Sequence, residues 1–356
     1  MQPAFRKHLL GWFASNARTL PWRTKPGPYR VWVSEIMLQQ TRVEAVRGHY
    51  TRFLQRFPTV RKLAAADLEE VLEAWSGLGY YRRARMLHTA AQRIVAEHAG
   101  RFPATRGAVI ALPGVGPYTA GAILSIAFNQ PEPIVDGNVE RVFARLAALD
   151  QNVKAGPGRQ AVWALATEHV RRGHSEGHAP SALNQAVMEL GAVVCLPNNP
   201  LCADCPVRRH CKAHKAGEVD RFPVLPGRAA KHDRKYRFVA LRDADARVLM
   251  VRRAEGDDSS LLPAGMWELP HTDATDPDGR LAGIGVPVRI AEDLLTRRHT
   301  IMNYRLTLEL LTGAPAARVR TSANRRWFTL EEAEAAAISS ATRKLLRALA
   351  APVRDA

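Results

Sequence analysis

The sequence holds only four cysteines, and 34 acidic side chains stand against 51 lysines and arginines. It also has no run of about 18 apolar residues, so no membrane-spanning helix is expected. The opening MQPAFRKHLLGWF lacks a signal peptide's uninterrupted apolar stretch and small-residue cleavage site, which gives a cytoplasmic expectation, with no membrane partner. The acidic deficit leaves a formal charge of +17 over 356 residues, pointing to a polyanionic partner, nucleic acid first. Arginine is scattered through the whole chain, so an arginine-rich composition from codon bias stands as the alternative. Hydrophobic residues at 46% and charged residues at 24% exclude wholesale disorder and a fibrous fold. At roughly 100–200 residues per domain the length predicts two domains, or three small ones. No internal repeat is present.

All the cysteines, Cys195, Cys202, Cys205 and Cys211, fall in one segment with the spacing C-x6-C-x2-C-x5-C. In a reducing compartment four clustered thiols suit a metal centre better than two disulfides. Structural zinc sites usually separate two close ligand pairs by a longer insert. The compact, uneven spacing here suits four thiolates around a [4Fe–4S] cluster, zinc being the alternative. Between the last two ligands lie Val207, Arg208, Arg209 and His210, with Lys212 and Lys215 beyond, a basic loop suited to phosphate contact.

Residues 1–215 read as successive helices. Asp67-Leu68-Glu69-Glu70 is a capping box, Arg82–His98 has helical periodicity and stops at Gly100, and Ala161–Arg172 precedes Gly173. Residues 216–235, with Pro223, Pro226 and Gly227, read as a linker. Residues 236–356 read as a small α/β domain. In it, Tyr236–Leu241 and Arg247–Val251 flank Asp243-Ala244-Asp245-Ala246 like a hairpin, and Tyr304, Leu306, Leu308 and Leu310 alternate with polar residues as in a half-buried strand. A terminal helix is expected from Leu330 through Leu349.

Three segments carry chemistry. Leu112-Pro113-Gly114-Val115-Gly116-Pro117-Tyr118 joins two helical stretches through a Gly-x-Gly turn, a helix-hairpin-helix pattern whose amides at Gly114, Val115 and Gly116 suit a phosphate; the bland reading is an ordinary turn. Pro133-Ile134-Val135-Asp136-Gly137-Asn138 brings Asp136 to a helix start, where it is an N-cap or, with dipole and amides keeping it ionised, an anion for a developing positive charge. Glu35 follows Val33 on a stripe with Ile36, Met37 and Val43, near an apolar surface that would raise its pKa and suit a general acid; a solvated first-turn glutamate is the alternative. A raised acid paired with an anion is the arrangement that cleaves glycosidic bonds.

SEIMLQQT, WSGLGYYRRAR, LPGVGPYTAGAI, VDGNVERV and MELGAVVCLPNNPLCADCPVRRHC occur in that order over the first 215 residues. Together they resemble the MutY adenine DNA glycosylases of the helix-hairpin-helix superfamily, relatives of endonuclease III. Beyond the linker, Leu261 to Pro270 and His299-Thr300 resemble the family's Nudix-like domain more loosely. The resemblance implies a mostly α helix-hairpin-helix glycosylase domain with an iron–sulfur cluster loop at 195–211, plus a Nudix-like mispair-recognition domain. It implies a monomer that removes adenine opposite 8-oxoguanine or guanine in double-stranded DNA. By the same resemblance Glu35 protonates adenine N7, Asp136 stabilises the cationic sugar or forms a transient acetal with it, and Tyr118 and Asn138 assist and position. Arg18, Leu20, Trp22 and Gln185 match the adenine pocket, while Gln40, Leu78 and Tyr80 match residues that wedge into the opened stack.

Tyr118 stands where endonuclease III-like glycosylases carry the lysine that forms a Schiff base, so a bifunctional glycosylase and lyase is the disfavoured alternative. A non-catalytic helix-hairpin-helix binding module is opposed by the pair Glu35 and Asp136. A nucleotide-pyrophosphate hydrolase is opposed by the lack of the G-x5-E-x7-R-E-x2-E-E metal box between Pro270 and Arg320. Two departures from the family stand out. Glu140 occupies a position that is often basic, and Ile301-Met302-Asn303 replaces the common Phe-Ser-His loop that senses 8-oxoguanine, leaving Asn303 as the hydrogen-bonding group there.

Overall fold

The computed structural model describes residues 2–227, 230–254, 262, 264–273, 281 and 288–350, with only the backbone described at 273 and 292–294. It divides into two compact units, one of Met1–Ala66 and Arg82–Gly227, the other of Asp67–Tyr81 and Arg228–Ala356.

The first unit opens with α1 (Pro3–Asn16), α2 (Pro28–Leu38), α3 (Val43–Arg56) and α4 (Val60–Ala65). The next helix, α5 (Leu68–Trp75), groups with the second unit. The first unit then continues through α6 (Arg82–His98), α7 (Arg106–Ile110), α8 (Pro117–Ala122), α9 (Gly137–Ala147), α10 (Gly156–Ser175), α11 (Pro180–Val193) and α12 (Lys212–Lys215). Among its described residues there is no strand, as the sequence predicts. Local chemistry sets several ends. The backbone N–H of Asp67 donates to Glu70 at 3.1 Å, closing the expected capping box, and Gly100 leaves α6 at φ +71°. Gly173 does not end its helix: α10 runs on to Ser175, and the left-handed Gly177 follows it. Gly173 is a packing glycine, since a Cβ there would come within 2.5 Å of Leu183 Cδ1. Phe5, Leu9, Val139, Phe143, Val162, Val187 and Leu190 form one core cluster that joins α1, α9, α10 and α11.

The second unit holds a four-stranded sheet and a three-stranded sheet. The first has the order β4 (His271–Asp273), β1 (His232–Leu241), β6 (Tyr304–Pro315), β5 (Val288–Ile301), with β1 and β6 parallel. The second has the order β3 (Trp267–Glu268), β2 (Val248–Arg252), β7 (Arg325–Phe328). Leu306, Leu308 and Leu310 face the core, as their alternation predicts. The expected hairpin is not one. Asp243 closes the turn by accepting from the Arg247 N–H at 2.9 Å, but pairing stops at a single bridge, Arg242 to Val248, and β1 and β2 enter different sheets. The terminal helix is likewise two helices, α13 (Leu330–Ala335) and α14 (Ser340–Ala350). Between them Ala337 accepts the Trp267 N–H at 2.9 Å, and Ser339 Oγ takes the Thr342 N–H at 3.0 Å to start α14. Leu261 and Pro263 lie outside the described residues.

Candidate active site

Glu35 sits on the buried stretch of its helix: all of Val31–Met37 is buried, and Glu35 itself is 4% exposed. The stripe differs from the expected one only at Val43, which opens α3. The C-terminal carbonyls of α2 would otherwise be orphaned. Arg83 takes them, donating to Ile36 O at 2.8 Å, Met37 O at 3.0 Å and Gln39 O at 2.5 Å. Burial pushes the Glu35 carboxyl up to about 7, against the opposing pull of a hydrogen bond from Tyr118 OH. Nearby Asp136 pushes in the same upward direction. Burial also lifts the Tyr118 phenol well above its ordinary range. The carboxyl therefore keeps its proton to far higher pH than an ordinary glutamate, with a neutral phenol bonded to it.

Asp136 caps α9, taking the Val139 N–H at 2.7 Å and the Asn138 amide at 3.0 Å. The expectation that amides and dipole alone govern it needs correcting: burial moves its pKa upward, and the hydrogen bonds offset only part of that. Two glycines allow this packing. A Cβ on Gly121 would collide with the Pro133 carbonyl, so only glycine lets α8 and the π-helical turn Ile123–Ala127 lie against the segment that leads into Asp136. On α11, a Cβ at Gly191 would come within 2.6 Å of Asn138 Cβ. Asn138 in turn accepts from Arg141 at 2.9 Å, and Arg141 also donates to Gly191 O and to Cys195 O, each at 2.7 Å. One face of α9 therefore runs from the carboxylate to the first cysteine.

Glu35, Tyr118, Asp136 and Asn138 line one cavity of about 520 Å³, together with Arg18, Leu20, Trp22, Gln40 and Gln185. That volume is in the usual range for a small-molecule site. The sequence reading missed Glu189 and Arg23. Glu189 is buried in the cavity wall and receives Arg18 Nε at 2.7 Å and Arg23 Nη2 at 2.8 Å. Burial alone would raise its carboxyl, but the two guanidinium groups hold it down at about 2. A signal was present in the spacing of Gln185 and Glu189, four apart on α11 and so on one face.

Residues 33–167 match the family described as HhH-GPD superfamily base excision DNA repair protein, and residues 237–348 match the NUDIX domain. The adenine DNA glycosylase of Rattus norvegicus is 35% identical over 97% of this chain and 77% of its own length. That of Mus musculus is 36% identical over the same shares. The chain belongs to the adenine DNA glycosylase family. Its fold is a helical HhH-GPD glycosylase domain followed by a Nudix-like α/β domain. The solved structure of a thermostable thymine-DNA glycosylase superposes with a TM-score of 0.54 at 26% identity, covering 60% of this chain and 95% of that one.

Other residues expected from the family lie outside the cavity. In the hairpin turn Gly114 has φ +75° and Pro117 opens α8. Val115 spends its N–H on Leu112 O at 3.1 Å, so of the three amides expected to suit a phosphate this one is already engaged. Glu140 is paired with Lys154. Leu78 is buried, whereas Tyr80 is 45% exposed, in the segment that groups with the second unit. Met302 and Asn303 form the exposed two-residue tip between β5 and β6, with Met302 at φ +49° and the Asn303 carbonyl taking the His232 N–H at 2.8 Å.

Cys195, Cys202, Cys205 and Cys211 line one small cavity with Arg145 and Arg208. Arg145 Nη1 donates to Cys195 Sγ at 3.4 Å, and the Cys211 thiol to Arg145 O at 3.3 Å. Among the described residues no three His, Cys, Asp or Glu side chains converge on one metal ion. A four-iron cluster gives each thiolate its own iron, so four thiols around one cavity, beside a buried arginine that would balance the cluster's charge, fit that group better than a lone ion.

Proposed function

We propose that this protein is a monofunctional base-excision repair glycosylase that hydrolyses the N-glycosidic bond of adenine in double-stranded DNA, acting on adenine opposite 8-oxoguanine or guanine. The observation that carries this reading is the buried Glu35 carboxyl, raised to about 7, in one cavity with Asp136. A base inside the helix cannot reach such a cavity, so the adenine nucleotide flips out of the stack. Glu35 gives its proton to adenine N7 and makes the base a leaving group. As the bond lengthens, positive charge grows on the sugar, and Asp136 stabilises it, held in place by Asn138 and the Val139 N–H. Tyr118 orients the Glu35 proton. Arg18, Leu20, Trp22 and Gln185 hold the base, Glu189 fixes the Arg18 and Arg23 side chains, and Gln40, Leu78 and Tyr80 fill the opened step.

Cys195, Cys202, Cys205 and Cys211 would hold a [4Fe–4S] cluster. Bound there, it would supply four iron–thiolate bonds that fix the base of the Arg208–Arg209 loop, whose positive side chains would meet DNA phosphates. The monomer, the cytoplasmic location and the mispair preference belong to the same reading.

Strand cleavage through a Schiff base needs an amine, and no lysine lines the cavity among the described residues. The test is a single-turnover assay on duplexes with A opposite 8-oxoG, G, C and T, quenched with and without alkali. Strand breaks after alkali only, fastest opposite 8-oxoG or G, are expected. Breaks without alkali, or equal rates on all four duplexes, would refute the reading.

A further inference from the structure

The turn after α5 is held in a conformation that its residues do not choose by themselves. Gly77 and Gly79 have φ +100° and +71°, and between Gly79 and the buried Tyr81 stands Tyr80 at φ +49°, a left-handed backbone that a bulky side chain rarely adopts. Tyr80 is the large exposed aromatic of this turn. Strain of this kind persists only where surrounding contacts impose it.

Those contacts come from residues of the second unit more than 180 positions along the chain. Arg343 on α14 donates through Nη2 to Ser76 Oγ at 2.6 Å and through Nη1 to Glu334 O at 2.9 Å, so its two amino groups tie the turn to the end of α13. The Ile338 carbonyl accepts from Tyr81 OH at 2.8 Å and from Ser76 Oγ at 3.3 Å. Tyr81 OH in turn receives the Gly77 N–H at 3.4 Å. At the start of α5, Glu69 accepts from the Trp267 indole at 2.8 Å and pairs with Arg252 at 3.2 Å. The segment is anchored at both ends, and Tyr80 at its tip is exposed.

We propose that Arg343, acting through Ser76 and beside the Ile338 carbonyl, is a positioning residue for the Gly77–Tyr81 turn, holding the Tyr80 ring ready to stack into the base step that the leaving adenine opens. An exposed aromatic on a fixed turn of a strongly basic chain is the kind of platform on which a nucleobase stacks, and stacking gains most when the ring pays no ordering cost on contact. The inference rests on the reading of Tyr80 as a wedge. It adds that residues of the second unit set the wedge and so govern how readily the stack opens.

The test uses the full chain and two substrates: a duplex with adenine opposite 8-oxoguanine, and the same duplex with both flanking pairs mismatched so that the step is already open. Arg343→Ala is expected to slow single-turnover excision about tenfold on the paired duplex and to stay within about twofold of the parent on the opened one. Ser76→Ala should show the same selectivity more weakly. Arg343→Lys should recover only part of the loss, since an ammonium lacks the two-armed geometry that reaches both Ser76 and Glu334. Equal loss on both substrates would mean that Arg343 serves general stability, and no loss on either would mean that the turn holds itself; both overturn the proposal. Tyr80→Ala separates the two layers. If it loses no rate on the paired duplex, the wedge reading falls and takes the proposal with it, whereas selective loss in Tyr80→Ala without loss in Arg343→Ala sinks the tether alone.

Discussion

Replacing Glu35 by glutamine should abolish adenine release and, at alkaline pH, make the protein more stable. The carboxyl moves from 4.5 to about 7 because burial disfavours its charge. That displacement is worth about 3 kcal/mol between the two protonation states. Below pH 4.5 the carboxyl is protonated in folded and unfolded chains alike, and Glu35 gives no pH dependence. From 4.5 to about 7 the unfolded chain loses this proton while the folded protein keeps it, so stability falls as pH rises; above 7 both forms are ionised and the full cost of about 3 kcal/mol remains. Glutamine keeps the shape and the acceptor for Tyr118 but has no charge to desolvate. Urea unfolding of both proteins from pH 4.5 to 8.5 should therefore show the variant gaining up to about 3 kcal/mol on the parent with rising pH. In the same variant mispair affinity stays within about tenfold while excision is lost, and in the parent the single-turnover rate falls as pH rises through about 7. A stability difference that stays flat across this range would show that the carboxyl is not desolvated, and full activity in the variant would remove it as the acid.

Asp136→Asn should cost at least about a hundredfold in single-turnover excision, since a neutral amide cannot offset sugar charge; near-parental kinetics would return Asp136 to a simple cap. Purified protein should be brown, with about four irons per chain and broad absorbance near 400 nm, and a colourless protein with one zinc would overturn the cluster. Gly121→Ala should lower stability by about 1–3 kcal/mol, because the new methyl meets the Pro133 carbonyl; an unchanged melting temperature would refute the close approach. Asn303→Ala should cost roughly 1–3 kcal/mol of preference for 8-oxoG over G, read as the ratio of single-turnover rates, and an unchanged ratio excludes Asn303 as the sensor.

What the sequence makes legible here is what a few neighbouring residues decide. The capping box at Asp67, the left-handed glycine after α6 and the alternating leucines of β6 act within a turn or a strand, and each stands where its pattern puts it. The failures share the opposite property. Gly173 looked like a helix end because its packing partner, Leu183, lies on another helix. The residues around Asp243 make a tight turn, but which sheet each flanking strand joins is settled by partners such as Leu310 and Phe328, far along the chain. The helix expected over 330–349 breaks where the Trp267 backbone claims Ala337.

The same division runs through the active site. Which residues are acids, amides and aromatics is written locally, and nine of the candidate site residues named from the sequence line one cavity. How strong the acids are is not local. Glu35 is an acid near neutrality because the stretch Val31–Met37 around it is buried, and Asp136 shifts upward, against what its own cap dictates, because Gly121 and Gly191 let two other segments close around it. Glu189 escaped notice for a related reason: it stays charged inside the wall only because Arg18 and Arg23, more than 160 positions earlier, fold onto it. Catalytic strength in this protein is therefore a property of burial, and burial is controlled by small residues that carry no chemistry themselves. A methyl group at Gly191 would push against Asn138 without touching a carboxylate, and it should disturb the anion as surely as a change in the carboxylate's own hydrogen bonds.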